Sequence, residues 1–224
     1  MKRTLFLAFT LFTTAPAFGV GTSLETDQEK FSYSIGIQIG QSLIRQGVQL
    51  DSDAFNLAIR DAIDGSKPRL EPGAMQEALS KGESSVNDGL RERAKANLKA
   101  GKEFLEENAK REGVVALSSG LQYKVLRTGA GEFPKPNSTV EVHYVGTLMD
   151  GREFDSSRRR GESATLNLGN VIKGWQEAIP LMRVGSRWQV FIPPSLGYGA
   201  KGAGAVIGPN ETLIFEIELL DIAG

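Results

Sequence analysis

A chain of 224 residues with 26 basic and 27 acidic side chains, a formal charge of -1 and 40% hydrophobic residues can build one large or two modest domains around a buried core. The near-neutral balance excludes a nucleic-acid binder that works through a basic surface. The absence of cysteine excludes a disulfide framework, a thiolate metal site, a cysteine nucleophile and lipid attachment through an N-terminal cysteine.

Residues 1–19 read as a secretory signal peptide. Lys2 and Arg3 precede an apolar run from Leu5 to Phe12, and Ala15-Pro16-Ala17 supplies small residues for cleavage after Ala17 or Gly19. The run is too short for a permanent membrane span. Export to the periplasm is the expectation, with outer-membrane association or release also open, and a chain without cysteine cannot mispair in such an oxidising compartment.

From Leu24 to about Lys67 apolar residues recur at helical spacing: Phe31, Ile35, Ile39 and Leu43, then Phe55, Ile59 and Ile63. Gly47 and the acids Asp51 and Asp53 between them predict two short helices joined by a turn. Gly36 and Gly40, one turn apart, suit either close helix packing or self-association. Lys67-Pro68-Arg69-Leu70-Glu71-Pro72 is a break. The stretch from Pro72 to Glu112 has alternating charges and a thin stripe of Met75, Leu79, Val86, Leu90, Leu98 and Leu105, which predicts a largely solvated rod about 60 Å long. Gly82, Gly89 and Gly101 should soften it by roughly 1 kcal/mol each.

After Gly113 the period changes to two. Residues 121–126, 140–147, 164–168, 187–192 and 212–220 predict strands, with one helix near Lys173 to Leu181. The expected class is α+β: N-terminal helices and a long connecting helix, then a curved antiparallel sheet wrapped on a short helix. The expected divisions are 1–19 signal peptide, 20–71 helical domain, 72–113 connecting helix and 114–224 sheet domain.

Two motifs are weak. Gly197-Tyr198-Gly199-Ala200-Lys201-Gly202 matches G-x-G-x-x-G but follows Pro193-Pro194 and precedes no helix, so it lacks the strand-to-helix setting that phosphate binding needs. His143, the only histidine, has no nucleophile elbow to serve and no partners for a zinc site, so it is read as structural or surface.

The order and spacing of Val142-His143-Tyr144-Val145-Gly146, Phe154-Asp155-Ser156-Ser157, Val171-Ile172-Lys173-Gly174-Trp175, Leu196-Gly197-Tyr198-Gly199 and Leu213-Ile214-Phe215 resemble the FKBP family of peptidyl-prolyl cis-trans isomerases, from Ser119 to Leu220. The resemblance implies a proline pocket floored by Trp175 and walled by Tyr144, Phe154, Val171, Ile172, Tyr198, Ile207 and Phe215. It also implies Asp155 at the rim, the Ile172 N–H as donor to a bound carbonyl and the Tyr198 hydroxyl holding a second carbonyl. Where small members carry a further pocket aromatic this chain has Ala164, where some carry a loop histidine it has Ala203, and Gly208 replaces a frequent proline, so a more open side is expected there.

The helical segment containing Tyr33-Ser34-Ile35-Gly36-Ile37-Gln38-Ile39-Gly40, followed by a long charged helix, is similar to the macrophage infectivity potentiator-like branch of exported bacterial FKBPs. There the first helices intertwine into a homodimer and the long helix holds the catalytic domains apart. The resemblance implies a metal- and cofactor-free isomerase acting on proline-containing unfolded or exported polypeptides, probed by macrolides such as rapamycin. A polypeptide-binding chaperone or host-interaction factor, with isomerisation secondary, is the alternative.

Overall fold

The structure is a computed structural model that describes residues 23–204 and 206–223. The expected signal peptide lies outside the described residues. Two units are distinguished among the described residues, divided between Gln41 and Ser42. Helix α1 (Asp27–Arg45), which spans that division, begins in the first with a reciprocal cap. Thr26 Oγ1 accepts the Glu29 N–H at 3.2 Å while the Glu29 carboxylate accepts the Thr26 N–H at 2.8 Å, so two otherwise orphaned donors are satisfied by one pair of side chains. Its apolar residues are not enclosed: Phe31 is 67% and Tyr33 57% exposed.

In the second unit, α2 (Ser52–Ile63) is capped by Asp51, whose carboxylate accepts the Ala54 N–H at 2.8 Å. Arg69 then reaches back to Asp61 with two hydrogen bonds of 2.6 and 3.1 Å, fixing the turn into the next helix. Helix α3 (Pro72–Asn108) opens with Pro72 in its first turn, where a missing N–H costs nothing, and runs unbroken for 37 residues, about 55 Å. Exposed pairs such as Lys81–Glu77 and Lys95–Glu92, both at 2.7 Å, line it and contribute roughly 0.3–0.5 kcal/mol each.

The expectation of a solvated rod is corrected at its C-terminal end. Gly101 and Asn108 are buried, Phe104 packs on Phe191 with ring centroids 5.9 Å apart, and Asn108 donates to the Gln122 side-chain carbonyl at 2.9 Å. Gln122 in turn donates to the Leu105 carbonyl at 2.8 Å. The last turns of α3 are therefore part of the sheet domain's packing. The sparse stripe concealed this because much of the docking uses a glycine and amides.

The sheet is antiparallel throughout: β1 (Val114–Ala116), β2 (Gln122–Arg127), β3 (Thr139–Leu148), β4 (Glu153–Ser156), β5 (Ala164–Asn167), β6 (Arg187–Ile192) and β7 (Leu213–Ala223). Their order is β1-β2-β6-β7-β3-β4, with β5 pairing the other end of β3. Residues of β3 alternate strictly, Val140, Val142, Tyr144, Gly146 and Leu148 facing in, and β7 does the same with Leu213, Phe215, Ile217 and Leu219. A bulge between Glu141 and Val142 shifts the β3–β7 register and adds local bend.

Helix α4 (Ser157–Arg160) is a single turn closed by Gly161 at φ 79°, and α5 (Lys173–Ala178) lies against the sheet. Close approach is possible because residue 174 is glycine: a Cβ there would sit 2.6 Å from Ile192 Cγ2. Trp175, Ala178, Ile179 and Met182 are thereby buried against β6 and β7. No described helix is long and apolar enough to cross a membrane.

Candidate active site

The inward faces of β3 and β7, the start of α5 and two connecting loops enclose a cavity of about 540 Å³. Trp175 and Phe215, each 4% exposed, sit deepest among its lining residues. Their rings meet edge to face at 5.1 Å, Tyr144 meets Trp175 at 5.2 Å, and Phe154 meets Phe215 at 5.4 Å, all at 83–86°. This is the geometry that aromatic quadrupoles prefer, and each pair contributes about 0.5–1.5 kcal/mol beyond its buried area. The arrangement needs Gly146, because a Cβ there would lie 2.6 Å from Phe154 Cζ and 2.8 Å from Phe215 Cε1.

The wall has one polar corner. The Tyr144 hydroxyl donates to Asp155 Oδ2, Arg160 Nη1 pairs with Asp155 Oδ1, and Arg160 Nη2 donates to the Tyr144 oxygen at 3.0 Å. The Arg160 guanidinium also stands over the Tyr144 ring, 5.6 Å from its centroid. Burial alone would push the Asp155 carboxyl up, but the hydrogen bonds from Tyr144 and Arg160 outweigh it and hold it below the ordinary carboxylate range. Burial, then the bond to Asp155, pushes the Tyr144 hydroxyl up, and burial with the nearby Asp155 charge does the same to Tyr198. At neutral pH the corner thus holds an ionised carboxylate and two neutral phenols, and no group poised for proton transfer.

Val171, Ile172, Tyr198, Ala203 and Ile207 complete the lining that the sequence anticipates. Ala164 does not join them. It lies on β5 opposite Val142, half-buried against the core, and Leu166 lines the cavity instead. A period-two reading of β5 puts 164 and 166 on one face, so Leu166 was available from the strand pattern. Asn170, Gly204 and Val206 also line the cavity, and Arg160, which no sequence motif singled out, anchors its polar corner.

The Ile172 N–H precedes α5 and takes no acceptor among the described residues, while the Ile172 carbonyl accepts from Trp175 N at 2.9 Å. The buried Trp175 Nε1–H likewise has no protein acceptor among the described residues. His143 points to the other face of β3, where Nδ1 lies 3.1 Å from Ser157 Oγ, itself bonded to the Tyr144 N–H at 2.8 Å. It supports the strand and does not reach the cavity. Among the described residues no group of His, Cys, Asp and Glu side chains could hold a metal ion. The glycine-rich segment from Gly197 forms turns and a short 3₁₀ segment, with no helix N-terminus facing a phosphate site.

Comparison with known proteins agrees with this geometry. Residues 130–220 match the FKBP-type peptidyl-prolyl cis-trans isomerase family and residues 28–125 match the domain amino terminal to FKBP-type peptidyl-prolyl isomerase. The chain is 43% identical over 201 residues to the FKBP-type 22 kDa peptidyl-prolyl cis-trans isomerase of Escherichia coli, covering 89% of this chain and 98% of that protein. It is 39% identical over 230 residues to the peptidyl-prolyl cis-trans isomerase Mip of Coxiella burnetii, covering 99% of each. Among solved structures, FkpA from Escherichia coli superposes with a TM-score of 0.66 at 37% identity, over 89% of this chain and 98% of that one. The chain belongs to the FKBP-type peptidyl-prolyl cis-trans isomerases.

Proposed function

We propose that the aromatic cavity is where this isomerase turns the X-Pro bond, with Trp175 under the proline ring and Tyr144, Phe154, Val171, Ile172, Ile207 and Phe215 around it. The observation that carries this is the edge-to-face cluster on an almost fully buried indole and phenyl pair. Rotation about the imide bond breaks amide resonance, a barrier of about 18–20 kcal/mol, and transfers no atom and no electron. A catalyst for it needs neither cofactor nor nucleophile. The twisted amide is less charge-separated than the planar one, so a dry apolar cup favours it over the ground state. Each 1.36 kcal/mol of that difference is about a factor of ten in rate.

The Ile172 N–H, without an acceptor among the described residues, is suited to hold one substrate carbonyl and the half-exposed Tyr198 hydroxyl a second, fixing the chain on either side of the turning bond. Asp155 and Arg160 fix the Tyr144 ring against the floor. Ala203 leaves room on the loop side, while on the β5 side the wall is Leu166 and not Ala164. Macrolides such as rapamycin are expected to fill the same cavity.

The natural substrates on this reading are exported, unfolded proline-containing polypeptides met in the periplasm, outer-membrane association and release being alternatives. Residues 20–71 form the dimerisation domain, 72–113 the connecting helix and 114–224 the catalytic domain. The exposed apolar residues of α1 and of α2 support homodimer formation and would also suit capture of an unfolded client. The test is a proline-peptide isomerisation assay, with and without rapamycin, beside a sizing measurement. Asp155→Ala and Phe215→Ala should each depress turnover strongly while the fold is retained; wild-type rates in both would defeat the assignment.

A further inference from the structure

Four lining residues of the cavity, Ala203, Gly204, Val206 and Ile207, come from the two sides of one loop. The sides are tied by a small bridge, with Ala203 N donating to Ile207 O at 2.9 Å and Ile207 N to Ala203 O at 3.2 Å. Gly202, at φ 63°, makes this possible, since a Cβ there would fall 2.2 Å from the Ile207 carbonyl oxygen. At the base, Asn210 N donates to Gly199 O at 2.8 Å.

Two amides tie this base to α3, more than a hundred residues earlier in the chain. Asn97 Nδ2 donates to the Pro209 carbonyl at 2.8 Å, and Asn210 Nδ2 donates to the Ala94 carbonyl at 3.2 Å. The exchange is reciprocal: a helix side chain reaches loop backbone, and a loop side chain reaches helix backbone one turn away. Asn210 stands at φ 56°, a conformation glycine would take without steric cost. An asparagine there uses its side chain.

We infer that α3 is a structural member of the catalytic site: Asn97 and Asn210 are positioning residues that hold the Gly202–Asn210 loop in register over the cavity. The long helix then does more than separate domains, because its orientation at residues 94–97 is communicated to the wall that contacts substrate. The inference rests on the cavity being the site of isomerisation.

The experiment uses the full chain. Asn97→Leu keeps the side chain's approximate size and removes the donor without placing a second carboxylate beside Glu211, and Asn210→Gly keeps the backbone conformation but removes the amide. For each variant, kcat/KM is measured on a proline tetrapeptide, and amide hydrogen exchange is followed at Ala203 and Ile207, with Val142 and Ile217 reporting the sheet. The expected result is a three- to tenfold fall in kcat/KM, about the factor one hydrogen bond carries, with faster exchange at Ala203 and Ile207 and unchanged exchange at Val142 and Ile217. Unchanged exchange at Ala203 and Ile207 in both variants overturns the inference, and so does faster exchange there with wild-type kcat/KM. Asp155→Ala runs as a control: if it too keeps wild-type turnover, the cavity assignment has failed and not only the positioning role.

Discussion

Replacing the three interior glycines of α3 one at a time gives the same chemical change in two environments. Alanine in place of glycine within a helix is worth roughly 0.5–1 kcal/mol through restricted backbone freedom. A Cβ at Gly82 or Gly89 meets nothing within 4 Å, so Gly82→Ala and Gly89→Ala should each stabilise by that amount. A Cβ at Gly101 would lie 2.3 Å from Thr212 Oγ1 and 3.5 Å from Thr212 Cβ, and Thr212 is fully buried. Helix or strand must move by about 1 Å, and such overpacking costs about 1–3 kcal/mol, which outweighs the backbone gain and leaves a net loss of up to about 2 kcal/mol. Urea unfolding followed by circular dichroism at full chain length reads both signs. Thr212 Oγ1 has no hydrogen-bond partner among the described residues, so Thr212→Ala should cost little alone and should restore Gly101→Ala. If Gly101→Ala stabilises as much as Gly82→Ala, the claim that α3 docks through this glycine is wrong.

Gly146→Ala should displace Phe154 and Phe215, cost about 1–3 kcal/mol and lower kcat/KM by at least about tenfold; an unchanged melting temperature with full activity would show that the ring cluster is loosely seated. Tyr144→Phe removes one of the donors that depress the Asp155 carboxyl. A carboxyl whose folded-state value is depressed contributes stability above its ordinary range and loses it as pH falls through the depressed value. The gap in melting temperature between wild type and Tyr144→Phe should therefore be full at neutral pH and narrow below about pH 4, where a gap that widens on acidification would contradict the depressed carboxyl.

Much of the architecture was legible because it is periodic. The two short helices, the long helix, five strands and α5 follow from apolar spacing and turn residues, and each lies within a few residues of the expected place. Strand β1 is three apolar residues and β4 has a single one, Phe154, so neither carries an alternation of apolar and polar residues. The cavity's lining is legible through spaced motifs and not through periodicity, which makes Tyr144, Trp175 and Phe215 look like ordinary core. What no local pattern could reveal is pairing across distance. Arg160 reads as one of three surface arginines until the fold sets it on Asp155 and Tyr144, and Asn97 reads as a helix-surface amide until the loop at Pro209 comes beneath it. Leu166 shares the face of Ala164 on β5, but no spaced motif marks it.

The single turn Ser157–Arg160 sends its three consecutive arginines to three different acids: Arg158 to Glu218, Arg159 to Glu153 and Arg160 to Asp155. One turn of helix has almost no cohesion of its own, so this corner is held mainly by those contacts, the Ser156 cap and Ser157. All three guanidinium groups remain open to solvent, and dissolved ions weaken such attractions over roughly 8–10 Å at ordinary salt. The buried rings feel none of this. Brine and fresh water therefore address different parts of the same molecule: the greasy floor is indifferent to both, while the mouth beside Asp155 is trimmed by whatever electrolyte surrounds it.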